Sequence, residues 1–171
     1  MSELWDIYDE NRKPTGKTIL RSVFFDRNNC DYPDDYHIAV HIWIKNSEGK
    51  WLISKRTPNK NYPLLWECTG GSVVAGEDSL SGALREVREE LGIELDVSKG
   101  YLYKSIKREI YNDFCDVWLF ECDCDINDVV LQEGETCDAM WASGDKILEM
   151  IQSGEFIPID NMEYVPDLLR E

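Results

Sequence analysis

Apolar residues change their spacing along the chain in a way that separates strands from helices. Residues 37–44 (His-Ile-Ala-Val-His-Ile-Trp-Ile) and 51–56 (Trp-Leu-Ile-Ser-Lys-Arg) are short runs rich in β-branched and aromatic side chains. They predict two strands joined by the turn residues Asn46-Ser-Glu-Gly. The same criteria predict strands over 68–74, 101–110, 114–124 and 139–142, and a helix over 145–153. Between 78 and 92 the period lengthens to that of a helix. Leu80, Leu84, Val87 and Leu91 fall in one narrow stripe, Asp78 is placed to cap the first turn, and Gly92 to close the last. Upstream, residues 5–21 read as a hairpin turning around 11–16, followed by Phe24-Phe25 and a loop over 28–35. The order β, β, β, α, β, β, β, α fits a mixed sheet covered by helices.

A length of 171 residues with 43% hydrophobic content suits one globular unit, residues 1–171, in which 1–35 form an N-terminal hairpin extension. Acidic residues outnumber basic ones 34 to 18, and the resulting charge of −16 opposes binding to polymeric nucleic acid or an anionic membrane. The start lacks the basic and apolar segments of a signal peptide, and no apolar run approaches the roughly 18 residues of a membrane span. A soluble, cytoplasmic protein is expected. Cys30, Cys68, Cys115, Cys122, Cys124 and Cys137 lie mostly in strand-like runs and read as free, buried thiols; Cys122-Asp-Cys124 lacks the spacing of a paired zinc knuckle.

Chemistry concentrates on the helix of residues 78–92. Glu86, Glu89 and Glu90, at i, i+3 and i+4, gather on a different side from the apolar stripe. Carboxylates so crowded repel one another and raise one another's pKa unless a cation neutralises them. Oxygen-only donors favour Mg²⁺, or Mn²⁺, over zinc, and Mg²⁺ is commonly shared between carboxylates and substrate phosphates. A small-molecule diphosphate is therefore the expected substrate. Gly82, one turn before Glu86, is read either as keeping space clear near the metal or as merely tolerated. The basic cluster Lys55, Arg56 and Lys60 either holds phosphate or decorates a strand end.

The segment from Gly71 to Ile93 resembles a complete Nudix box, Gly-x5-Glu-x7-Arg-Glu-U-x-Glu-Glu-x-Gly-U with U aliphatic, carried by Gly71, Glu77, Arg85, Glu86, Val87, Glu89, Glu90, Gly92 and Ile93. The resemblance implies the family's α/β/α sandwich with a mixed central sheet, over about residues 36–155. It also implies hydrolysis of a diphosphate bond in a nucleoside diphosphate linked to another group, with a homodimer as a compatible state. Carried over position by position, Glu86, Glu89 and Glu90 are metal ligands, joined by a main-chain carbonyl near Gly70 or Gly71. Glu86, Arg85 and Glu89 form the catalytic set: Glu86 also assists deprotonation of water, and Arg85 orients a box carboxylate. Gly71, Glu77 and Gly92 are structural, Glu77 either pairing with Arg85 or stabilising the loop. Because the base varies in the family, Glu133 and Glu135 in the loop Gln132-Glu-Gly-Glu-Thr are further candidates. Trp43, Tyr62, Trp66, Tyr111 and Trp118 either stack on substrate or pack the core.

A second resemblance competes. Residues 5–11 (Trp-Asp-Ile-Tyr-Asp-Glu-Asn), Gly16-Lys17, Arg21, His37-Ile-Ala, Ser54-Lys-Arg and Pro63-x-x-Trp66 look like the branch containing isopentenyl-diphosphate isomerase. That enzyme shifts a double bond and needs a cysteine and a histidine just after the Trp-containing strand, and a later glutamate. Here Cys68 stands too early, Asp113 occupies the glutamate's place, and only His37 survives. The intact box favours a hydrolase on an isomerase-like scaffold, with isomerisation as the alternative and an inactive nucleotide-binding module as the second.

Overall fold

The computed structural model describes residues 3–24, 35–158 and 163–170. The expected loop over 28–35, apart from Asp35, lies outside them, as do Phe25 and Cys30. The opening hairpin is β1 (Leu4–Tyr8) and β2 (Pro14–Leu20), followed by the short α1 (Arg21–Phe24). Seven further strands form one sheet: β3 (His37–Lys45), β4 (Trp51–Arg56), β5 (Trp66–Glu67), β6 (Thr69–Ser72), β7 (Gly100–Arg108), β8 (Asp113–Glu121) and β9 (Thr136–Ala142). The long α2 (Ser79–Leu91) follows β6, while α3 (Gly144–Ser153) and α4 (Val165–Leu168) follow β9. The strand order is β5-β4-β3-β8-β7, with β6 also paired to β3 and β9 to β4. Among the described strands only β3 and β8 run parallel. The sheet is mixed, as expected.

Strand β3 is buried on both faces, and its alternation divides the core in two. Ile38, Val40, Ile42 and Ile44 pack with Val73, Ala83, Val87 and Leu91 beneath α2. Trp43 joins Trp51, Ile147, Met150, Val165 and Leu168 under α3 and α4. Helices thus cover both faces of the sheet, the α/β/α layering that the resemblance implies. Cap residues fix the start and end of α2: the Asp78 carboxylate accepts from Ser81 N at 2.7 Å, and Gly92 adopts φ 68°. Val87, Leu91 and Ala83 are the buried part of its stripe, whereas Leu80 and Leu84 are half-buried.

Two expectations need correction. The strand expected over 68–74 is confined to β6, which pairs with β3; β5, just before it, is a separate strand pairing with β4, and Cys68 is where the chain changes partner. Strand β9 begins at Thr136, earlier than its apolar end suggested, since Thr136, Asp138 and Ala139 pair with β4 through their backbone alone. The N-terminal hairpin packs onto the rest of the chain. Trp5 and Ile7 are buried, Asp6 accepts from Gly76 N at 2.7 Å, and Ala75 N donates to Leu4 O at 2.8 Å. The hairpin therefore braces the loop that enters α2. Of the described cysteines, all free, Cys68 and Cys115 are buried, Cys122 and Cys124 half-buried, and Cys137 exposed. No helix among the described residues is long and apolar enough to cross a membrane.

Candidate active site

Strand β6 and helix α2 build the site between them. Their contact depends on Gly71, where a Cβ would lie 2.3 Å from the Glu86 carboxyl carbon. Only a glycine lets that carboxylate rest against the strand. Arg85 organises the rest. Its Nε donates to Glu77 at 3.0 Å, Nη1 to Glu86 at 2.8 Å and Glu89 at 3.2 Å, and Nη2 to the Ser72 carbonyl at 2.9 Å. One guanidinium thus joins three box carboxylates to β6, and although burial works against its charge, Glu86 and Glu77 hold it more firmly protonated than usual.

Charge on this face is left in excess. Burial raises the Glu86 pKa, with Arg85 opposing and Glu89 adding to the rise. Glu90 is only 5% exposed, and its Oε2 has no hydrogen-bond partner among the described residues. Burial first, then Glu67 and Glu86, push its pKa up to about 8, against a smaller opposing effect of Lys60. The main chain around it is tied down, since Gln132 N and Thr136 Oγ1 both donate to the Glu90 carbonyl at 3.1 Å. These bonds carry the 132–136 loop to the site, and Glu135 reaches its rim in an ion pair with Lys60. Glu133 is exposed and makes no described contact there.

A hard divalent cation suits this donor set: all oxygen, net negative, with one buried carboxylate oxygen unsatisfied. The carboxylates do not close a cage as placed. Among the described residues no three Asp, Glu, His or Cys groups stand together at metal-holding spacing, because Arg85 spans Glu86 and Glu89.

Several sequence assignments change. Arg56 is engaged internally, donating to Glu67 at 2.5 Å and to the Asn61 carbonyl at 2.6 Å, and Lys55 lies over the Trp66 ring at 5.5 Å. Neither is presented as a free phosphate holder. Gly82 faces Val73, whose Cγ2 would stand 2.9 Å from an added Cβ, so it serves helix–strand packing rather than space beside a metal. Trp43 and Trp66 are core residues, Trp118 donates to Ser79 Oγ at 2.9 Å, and Tyr62 and Tyr111 remain exposed. Glu67, which the sequence reading passed over, is a buried acid coupled to Glu90. A carboxylate between Trp66 and Cys68 in a strand is the signal that could have found it.

Across β6 lies a cavity of about 250 Å³ whose walls include His37, His41, Arg108, Tyr111, Asp113 and Ile157, with Gly70, Gly71 and Glu67 shared with the carboxylate side. Gly70 faces it: a Cβ there would meet the Val40 carbonyl at 2.7 Å and the His41 ring at 3.3 Å. Arg108 forks onto Asp113 at 2.7 and 2.6 Å, lies 4.8 Å from the Tyr111 ring centre, and approaches His41 Nε2 at 3.4 Å. A guanidinium only donates, so Nε2 accepts and Nδ1 carries the His41 proton, placing it on Tyr164 Oη at 2.9 Å. His37, Cys68 and Asp113, the positions weighed for isomerase chemistry, all line this cavity, yet burial raises the Cys68 thiol well above its ordinary range and Arg108 occupies Asp113.

Comparison with known proteins bears on the family and the fold. A NUDIX domain model matches residues 35–160. The uncharacterized Nudix hydrolase lmo0368 of Listeria monocytogenes is 37% identical over 158 residues, covering 91% of this chain and 89% of its own. Among solved structures, DR0079 from Deinococcus radiodurans superposes with a TM-score of 0.73 at 23% identity, covering 98% of both chains. The NUDIX domain of Shewanella oneidensis NrtR, determined with ADP ribose, gives 0.55 at 14% identity over 66% of this chain and 75% of its own.

Proposed function

The chain belongs to the Nudix hydrolase family, and from that premise we propose that it hydrolyses the diphosphate bond of a nucleoside diphosphate linked to another group, with Mg²⁺. The observation that carries this reading is the buried, unpartnered Glu90 carboxylate oxygen beside the Arg85-bound Glu86 and Glu89. Glu86, Glu89 and Glu90, with a main-chain carbonyl at Gly70 or Gly71, would hold the cation. When bound, it supplies positive charge to the phosphoryl oxygens and acidifies a coordinated water.

The chain's own residues do the remainder. Arg85 fixes the Glu86 and Glu89 side chains against β6 and keeps Glu77 paired at the entrance of the helix. Glu86, whose raised pKa reflects burial, takes the proton of the water that attacks phosphorus as the bridging P–O bond breaks. Lys60, held at the rim by Glu135, is better placed than Lys55 or Arg56 to meet phosphate charge. ADP ribose bound to the NrtR domain makes a nucleoside diphosphate joined to a sugar a natural first compound to test.

The test is release of mononucleotide or phosphate from a panel of capped diphosphates with Mg²⁺. Chelation should abolish it, and Glu89→Gln and Glu90→Gln should each lower kcat by roughly a hundredfold or more, the scale of losing one electrostatic group at a reacting centre. Unchanged release in both variants would sink the assignment, as would a dimethylallyl product formed from isopentenyl diphosphate without phosphate release.

A further inference from the structure

The loop over 73–78 carries the chain from β6 into α2, and β1 holds it at two successive amides. Ala75 N donates to the Leu4 carbonyl at 2.8 Å, and Gly76 N donates to Asp6 Oδ2 at 2.7 Å. Gly76 has φ 87° and no atom within 4 Å of where a Cβ would stand, so its own surroundings do little to fix it. The residue after it is Glu77. That carboxylate takes Arg85 Nε at 3.0 Å, and the same guanidinium holds Glu86 at 2.8 Å and Glu89 at 3.2 Å. Asp6 thus reaches two carboxylates of the site through Gly76, Glu77 and Arg85.

The far end of the hairpin is anchored as well. Asp9 Oδ1 accepts from the Asn11 and Lys13 amides, each at 2.9 Å, and closes a turn in which Arg12 adopts φ 61°. A long side chain occupies that backbone state only where its surroundings impose it. The conformation delivers the Arg12 guanidinium to Asp116, 1% exposed, at 2.7 Å, and to Ser105 on β7. Asp116 also accepts from the hydroxyl of Ser79, the first residue of α2. One end of the hairpin therefore fixes the loop before the helix, and the other reaches the helix's first turn. Both ends lie outside residues 35–160, the stretch that the NUDIX domain model matches.

We propose that Asp6 is a positioning residue: its hydrogen bond to Gly76 sets the Glu77–Arg85 pair, and through it the Glu86 and Glu89 carboxylates, at the spacing the cation needs. The inference rests on the hydrolase reading only for the cation held by those carboxylates. Its test is Mg²⁺ affinity by calorimetry, with kcat and KM alongside, in the wild type and in Asp6→Ala, Asp6→Asn and Thr15→Val. Asp6→Ala should weaken Mg²⁺ binding and lower kcat by about tenfold each, the lower end of what losing a group behind metal ligands costs, with KM within about twofold. Asp6→Asn keeps an acceptor oxygen and should recover most of both. Thr15→Val removes a hydrogen bond internal to the hairpin, from Thr15 Oγ1 to the Ile7 carbonyl at 2.8 Å, and should leave both unchanged. Coupling between two sites is reciprocal, so Mg²⁺ should slow hydrogen exchange of the Gly76 amide in the wild type by a similar factor. That measurement needs no variant and decides the matter should Asp6→Ala fold poorly. Wild-type Mg²⁺ affinity in Asp6→Ala, an equal loss in Thr15→Val or Asp6→Asn, or Gly76 exchange indifferent to Mg²⁺ overturns the proposal. Mg²⁺ affinity that depends on Asp6 in a protein releasing nothing from the diphosphate panel would sink the hydrolase reading and spare the hairpin; normal release by Asp6→Ala with unaltered Mg²⁺ affinity would sink the hairpin's role alone.

Discussion

The two faces of β6 share one backbone and handle charge in opposite ways. Toward α2, three carboxylates share the single guanidinium of Arg85 while Glu90 keeps an oxygen unpartnered. Toward the cavity, Arg108 is matched to Asp113 and the histidines are neutral. A protein under selection for stability alone would not leave buried carboxylates in excess, because each one lacking a counter-charge costs free energy. The first face is therefore the one whose excess charge the proposed cation would offset, and the second is compensated without one. Two successive glycines let both faces form: Gly71 makes room for Glu86 on one side and Gly70 for the β3 backbone on the other.

Replacing these glycines in turn tests whether the faces are as different as their contacts suggest. In Gly71→Ala the new methyl meets the far end of a flexible glutamate, 2.3 Å from the Glu86 carboxyl carbon, which can swing aside. The fold should survive and the site should not. An activity loss of roughly a hundredfold is expected, the scale of a 1 Å displacement at a reacting centre, with little change in Tm. In Gly70→Ala the methyl meets the Val40 carbonyl at 2.7 Å, and backbone yields far less readily. Here the expected cost is about 1–3 kcal/mol of stability, visible as a lower denaturation midpoint. Equal destabilisation by both substitutions would remove the distinction.

The cavity face should show itself through acid. His37 has its pKa lowered from 6.5 to about 4, chiefly by burial. The unfolded chain binds the proton more tightly, so the neutral ring contributes stability above pH 6.5 that is lost as pH falls toward 4. By pH 5 the loss from His37 amounts to about 2 kcal/mol; His41, half-buried at the cavity wall, shifts in the same direction and adds to it. Urea midpoints measured between pH 7 and 5 should fall, and His37→Asn should flatten that dependence. A slope unchanged in the variant would mean that His37 is not buried neutral.

How much of this could be read from sequence follows from the distance between partners along the chain. The Arg85–Glu89 pair stands at i and i+4 on α2, where helix spacing brings side chains together, whereas the Glu77–Arg85 pairing was expected from the resemblance to the box. The core strands were legible for the same reason, their apolar runs being local signals. The cavity was not. His41 meets Arg108 and Tyr164 from 67 and 123 positions away, and Arg12 reaches Asp116 across 104. Such pairs are set by strand order, which periodicity does not encode. Arg56 shows the limit from the other side: a basic cluster in sequence suggests a phosphate site, but the partner that occupies Arg56, Glu67, arrives only because β5 folds beside β4.

The smallest expected effect is also the one that most directly checks which face a residue serves. Gly82 lies on α2 one turn before Glu86, and its place in the sequence suggested room kept beside the metal. In the fold it meets Val73, 2.9 Å from an added Cβ. Gly82→Ala should gain up to about 1 kcal/mol in helix propensity and lose a similar amount as the stiff, β-branched Val73 gives way. The net change should stay within about 1 kcal/mol, a shift of roughly 2–4 °C or less in Tm for a chain of this size, with turnover within about twofold of wild type. A fall in turnover at unchanged Tm would return Gly82 to the carboxylate face, because a methyl that disturbs only packing against Val73 has no means of slowing the reaction while leaving the fold intact.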